Sequence, residues 1–168
     1  KIYRKNLPKG NIINELLNEY LIGSNTYVIR RKTLESLKYL FDERFHIIGD
    51  FDLNLRIATK WKIDCIQSPI AVARIHGKNE SLLKKEKEID ELKVWCEKMK
   101  TDSFFSLNQR LRKIELKILY LETIRTIVKE EYKKSIFMIA KYPLSFGKIK
   151  LIIALLLAKF ILRKIQNY

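Results

Sequence analysis

Phe41-Asp-Glu-Arg-Phe-His-Ile-Ile-Gly-Asp-Phe-Asp-Leu-Asn-Leu-Arg-Ile-Ala58 is the stretch on which the fold turns. From Asp50 to Ile57 apolar and polar residues alternate strictly, the period of a half-buried strand. The same residues also fit a helix, with Phe51, Leu55 and Ala58 on one face and Leu53 and Ile57 beside it. Periodicity leaves both open.

Upstream, Ile12, Ile13, Leu16, Leu17 and Tyr20 fall at helical spacing between Asn11 and Leu21, and the pattern stops near Gly23. Thr26-Tyr-Val-Ile29 reads as a short strand, and Thr33 as the N-cap of a helix running to Leu40. Downstream, Ile63–Gln67 and Ile70–Ile75 read as two short strands divided by Ser68-Pro69. His76–Ser81 is a loop, with Asn79 or Ser81 available to cap a charged helix that runs to Met99. After a break at Thr101-Asp-Ser103, one long helix is expected from about Leu107 to Lys141. Its apolar stripe is Leu111, Ile114, Ile118, Leu121 and Ile124, and Tyr142-Pro143 ends it. The tail from Lys148 to Tyr168 holds an eight-residue apolar run, Leu151 to Ala158, flanked by lysines. That run is too short for a membrane span but suits a helix lying among lipid headgroups, or one packing on its neighbours.

The apolar fraction of 47% suffices for a core and excludes a disordered tail. A formal charge of +15 attracts anions, whether nucleic acid, acidic headgroups or phosphorylated substrates. Cys65 and Cys96 are too few and too far apart for a zinc site or a disulfide framework, and they fit a reducing compartment. The chain opens at Lys1 rather than Met, so further residues are expected upstream.

Four blocks, in order, carry a resemblance. They are Gly23-Ser-Asn-Thr-Tyr-Val-Ile-Arg-Arg31; Phe41-Asp-Glu-Arg-Phe45 with Asp50-Phe-Asp-Leu-Asn-Leu-Arg56; Ile66-Gln-Ser-Pro-Ile-Ala71; and Ala73-Arg-Ile-His-Gly-Lys-Asn-Glu-Ser81. Over roughly residues 20–82 the chain resembles the acceptor-side, C-terminal part of inverting family 2 glycosyltransferases. The resemblance implies an α/β fold, a partial GT-A-like domain without its N-terminal nucleotide-binding half. Residues 1–85 would form that part and residues 86–168 an α-helical extension that associates with membrane. It also favours a helix opening at Gly49-Asp50. One departure is Gly49, which stands where a glutamate usually precedes the base.

By the same resemblance Asp50 is the general base. A sugar hydroxyl is a poor nucleophile near neutral pH, and a carboxylate within hydrogen-bond reach can take its proton as it attacks the anomeric carbon. A helix N-terminus would hold that carboxylate ionised; the alternative, which the surrounding blocks disfavour, is that Asp50 merely caps the helix. Asp52 is expected to pair with Arg56 one turn on and to support the site. Asp50-Phe-Asp52 is literally an Asp-x-Asp triplet, but the flanking blocks place it on the base helix and not at a metal. Ser24 and Asn25 are candidate acceptor contacts. His76 and Arg74 are candidate ligands of a metal or of the donor diphosphate. The resemblance further implies Mg²⁺ or Mn²⁺ held mainly by the absent half, a nucleotide-sugar donor, and a saccharide or lipid-linked acceptor. The expected role is cell-surface polysaccharide synthesis, with the protein cytoplasmic and peripheral at the inner face of the membrane. His46 is expected at the surface, and Trp61 and Trp95 as packing aromatics.

The competing class is a non-enzymatic basic helical module that binds an anionic membrane surface or nucleic acid. The scattered lysines match no recognised nucleic-acid motif, which disfavours that ligand. A catalytically dead scaffold is the third alternative.

Overall fold

The computed structural model describes residues 6–72, 74, 83–105 and 108–166, with residues 108–110 and 159–166 described as backbone only. Seven helices are present among them: α1 (Ile13–Asn18), α2 (Arg31–Glu35), α3 (Gly49–Ala58), α4 (Lys85–Met99), α5 (Asn108–Val128), α6 (Tyr132–Lys141) and α7 (Phe146–Gln166). Helix dominates among the described residues, and no sheet forms among them. This overturns the α/β, GT-A-like fold that the resemblance implied. Apart from one bridge at Ile63, the β-prone stretches 26–29, 63–67 and 70–75, of which residues 73 and 75 lie outside the described ones, find no neighbouring strand among the described residues. A strand needs such a neighbour to satisfy its backbone donors and cover its side chains. Val28 stays 99% exposed and Val72 94%, where a sheet residue would be half-covered. The sole pairing among the described residues is one antiparallel bridge between Gly10 and Ile63, with N–H···O distances of 2.7 and 2.9 Å. Gly10 sits at φ +91°, where a side chain would be strained. Gln67 extends this pairing, accepting the Leu7 N–H at 2.8 Å and donating to the Leu7 carbonyl at 3.0 Å.

The chain divides into two compact units, Lys1–Lys113 and Ile114–Tyr168. In the first, α1 packs on α3. Ile13, Leu16 and Leu17 of α1 and Phe51, Leu53, Leu55 and Ile57 of α3 are buried, together with Ile89, Leu92, Trp95 and Met99 of α4. Edge-to-face aromatic contacts run from Tyr20 to Phe51 to Trp95 to Phe105, with centroids 5.2–5.5 Å apart. The alternating stretch is therefore a helix. Phe51, Leu53, Leu55 and Ile57 can all be apolar because α3 is buried on nearly every side.

Helix α2 starts at Arg31 with Arg30 as its N-cap, so Thr33 is a buried residue inside the helix and not its cap. The expected single helix to Lys141 is likewise broken. At the end of α5 the Glu131 N–H donates to the Thr126 carbonyl and the Glu130 N–H to that of Ile127, with Glu130 at φ +62°. This is a Schellman ending, with glutamate holding the left-handed place usually given to glycine. The α6 residue Ser135 is fully buried, and its hydroxyl lies 2.9 Å from that of Thr126. The core of the second unit is Ile127, Ile139, Leu151 and Leu155, ringed by Tyr120, Ile124, Tyr142 and Ala154. No helix among the described residues is long and apolar enough to cross a membrane.

Candidate functional site

The site is built at the head of α3. No side chain caps this helix: its N-cap is Ile48. Glu91 of α4 gathers the approach instead. One of its carboxylate oxygens accepts the His46 N–H at 3.0 Å, and the other accepts those of Ile47 at 2.8 Å and Ile48 at 3.0 Å. A buried carboxylate on a neighbouring helix thereby fixes the loop that delivers Gly49 and Asp50, and Lys87 lies 3.8 Å behind it. Gly49 needs no unusual backbone angle, and a Cβ there would meet only Phe41, at ordinary contact distance.

Asp50 stands in the first turn of α3 and is half-buried. Its carboxylate accepts the Phe51 N–H at 2.8 Å and a hydrogen bond from the Tyr20 hydroxyl. Asn54, one turn further on, donates from Nδ2 to the same Tyr20 oxygen at 2.9 Å, which aims the phenolic proton at Asp50. Burial pushes the Asp50 carboxyl above its ordinary range and outweighs the lowering by Phe51, Tyr20 and its own backbone N–H. The helix terminus was expected to favour ionisation; desolvation wins. Burial, followed by the charge of Asp50, pushes the Tyr20 hydroxyl far up, so it remains a donor.

The sign for folding follows directly. The folded state binds the Asp50 proton more tightly than the unfolded chain does. The associated stability is complete below the unfolded titration and is lost as pH rises through the folded one. At neutral pH the ionised carboxylate is carried at a cost to the fold, the reverse of what a helix cap does.

Asp52 is the structural counterpart. It is 0% exposed. Arg56 Nε donates to it at 2.9 Å and Trp95 Nε1 at 3.0 Å, and Lys98 Nζ lies 3.5 Å away. Arg56 also donates to the carbonyls of Tyr39 and Leu40 and lies over the Tyr39 ring, at 4.1 Å from the centroid. Lys98 is shared with Asp42 at 2.9 Å. Hydrogen bonds from Arg44, aided by Lys98, hold the Asp42 carboxyl well below the usual range. The two members of the triplet thus differ in kind: Asp52 is consumed by fixed partners, whereas Asp50 is reachable.

Ser24 and Asn25 are exposed on a turn closed by the Thr26 N–H to the Gly23 carbonyl, at 2.9 Å. Arg74 is exposed, and His76 lies outside the described residues. His46 is exposed near Lys84, its Nε2 3.4 Å from the ammonium. Trp95 is core, while Trp61 is half-buried and donates to Ser36 at 3.0 Å. Among the described residues no three His, Cys, Asp or Glu side chains converge as a metal site would need. With Asp52 committed to Arg56 and Trp95, the triplet does not fit Mg²⁺ or Mn²⁺.

Tyr20, Asn54 and Glu91 escaped the sequence reading. Asn54 was within reach of it, because it lies one turn from Asp50 on the same helix. Tyr20 and Glu91 arrive from other elements, and only the packing reveals them.

No protein-family model matches the chain, and neither any characterised protein nor any solved structure shows significant similarity to it.

Proposed function

We propose that the chain carries the acceptor-activating part of an inverting sugar transferase of the family 2 type, with Asp50 as the general base. The observation that carries this reading is the setting of Asp50. It is a half-exposed carboxylate whose proton affinity is raised by burial and whose second partner is an oriented phenol. A base works best when its pKa approaches the working pH, so the raised affinity helps catalysis while it costs stability. In the proposed reaction Asp50 takes the proton of an acceptor hydroxyl as that oxygen bonds to the anomeric carbon of a nucleotide-sugar. The bond from that carbon to the diphosphate breaks, and the nucleoside diphosphate leaves from the opposite face. Tyr20 and Asn54 hold the carboxylate in place, and Asp52 and Glu91 hold its helix. The order of the four sequence blocks supports the same reading, and the setting proposed with it is cell-surface polysaccharide synthesis at the cytoplasmic face of a membrane, on a saccharide or lipid-linked acceptor.

The test is acceptor-dependent release of nucleoside diphosphate by the natural full-length protein across a panel of nucleotide-sugars. Asp50→Asn is expected to slow release by roughly a hundredfold to ten-thousandfold while unfolding no earlier in urea than the parent. Release unaffected by Asp50→Asn, or absent with every donor, contradicts the proposal. The second outcome would leave a non-enzymatic basic module as the reading, favoured by the charge of the second unit.

A further inference from the structure

From Tyr132 to the end the chain has eight lysines and arginines and not one aspartate or glutamate. More than half of the net +15 therefore sits in the last 37 residues. The same segment leaves its large apolar side chains in the open. Helix α7 turns Leu151 and Leu155 into the core of the second unit, where they are 0% and 8% exposed. Phe146, Ile149, Ile152, Ile153, Leu156 and Leu157 stay 42–72% exposed. At 3.6 residues per turn these six fall on the arc opposite Leu151. On the wheel Lys148 borders one side of that arc and Lys150 the other. In the same unit, Phe137 and Leu144, on α6 and the connection that follows it, are exposed as well.

The cations lie along this apolar surface. The Lys141 ammonium is 4.2 Å from the centroid of the Phe137 ring, and that of Lys150 is 4.8 Å from Phe146. Lys148 reaches back to the Ala140 carbonyl at the end of α6, at 3.3 Å. Long cationic side chains bordering an outward apolar stripe can lie along the apolar surface and hold their charges at the level of phosphates. An apolar face this long is more than the scattered exposure of an ordinary surface.

We propose that the outer face of α7 docks in the plane of an anionic phospholipid bilayer. Phe146, Ile149, Ile153 and Leu156 would enter the headgroup–acyl boundary, and Lys141 and Lys150 would meet lipid phosphates. Charge complementarity selects this occupant: a second copy of the chain would bring a second surface free of acids against the first. The in-plane mode follows from the helix, which keeps its opposite face against its own unit and is too short in apolar length to cross. This proposal gives a physical basis to the membrane setting proposed above, and it does not depend on the chemistry of Asp50.

The test is flotation of the purified chain with vesicles of phosphatidylcholine alone or with one third phosphatidylglycerol, at low and at high salt. Binding is expected only with phosphatidylglycerol, and it should weaken as salt rises. Ile153→Glu combined with Leu156→Glu, and separately Lys141→Glu combined with Lys150→Glu, should each lower the partition coefficient by roughly tenfold or more. All four side chains are at the surface, so the helical circular dichroism should not change. As an independent reading, Ile153→Trp should shift its fluorescence to the blue when the anionic vesicles are added. Asp50→Asn should bind vesicles as the parent does, which separates failure here from failure of the sugar-transfer reading. Three outcomes overturn the proposal: equal binding to both vesicle types, no binding to either, or a dimer in sedimentation that Ile153→Glu with Leu156→Glu dissociates.

Discussion

Asp52→Ala is expected to lower folding stability by about 3–5 kcal/mol, the range for removing one partner of a buried ion pair. The carboxylate has no exposure and serves Arg56, Trp95 and Lys98 together. Its removal leaves the Trp95 indole N–H buried without an acceptor. The Arg56 guanidinium, which ties α3 to the 39–40 segment, loses its counter-charge. Lys98 suffers less because Asp42 still holds it at 2.9 Å. Against a typical total of about 5–15 kcal/mol, a loss of this size consumes much of the margin. Urea unfolding, followed by the fluorescence of Trp95 and Trp61, measures it directly. Asp52→Asn should lose less, since an amide oxygen can still accept from Trp95 while the charge is gone. Equal losses for Ala and Asn would show that the charge, and not the indole hydrogen bond, dominates.

Glu91→Ala is the second large effect, expected at about 2–4 kcal/mol, because three backbone N–H groups lose their acceptor at once. Two of them, from Ile47 and Ile48, share one oxygen. Glu91→Gln should fall between Ala and the parent, since its amide group offers one acceptor and turns a donor toward the remaining N–H. Here the readout extends beyond stability. The loop from His46 to Ile48 delivers Asp50, so hydrogen exchange at the amides of Ile47 and Ile48 should accelerate in Glu91→Ala even under conditions where the variant remains folded. Unchanged protection at those amides would mean that Glu91 does not hold the loop.

These two carboxylates show which parts of the design are legible in the chain itself. Asp52 and Arg56 are four residues apart, and on a helix that spacing brings them together. Glu91 is 43–45 residues from the amides it serves, so no local pattern announces it. The period of 50–57 was ambiguous for a related reason. A helix buried on nearly all sides gives up the one-sided stripe that distinguishes it from a strand. The failure of the expected strands has a different cause. Tyr27, Val28, Ile66 and Ile70 have β-prone side chains, but propensity describes fit to a neighbouring strand, and none is present among the described residues. The Schellman break at Glu130 was hidden because glutamate is a poor marker of a left-handed residue. For the candidate site, Asp50 was legible as a carboxylate at a helix start, yet its protonation was not. The dipole argument pointed toward easier ionisation, while the packing of Tyr20 against Phe51, with centroids 5.4 Å apart, removes water and reverses the balance.

The most direct measurement is the titration of the Asp50 side-chain carboxyl carbon by NMR in the intact chain, assigned through Asp50→Asn. A carboxylate kept as a proton acceptor at the expense of the fold should titrate above the ordinary aspartate value of about 3.9, and the Tyr20 ring resonances should move with the same midpoint. A midpoint at or below that value would identify Asp50 as an ordinary helix-start carboxylate and would remove the basis for assigning it a proton from a sugar hydroxyl.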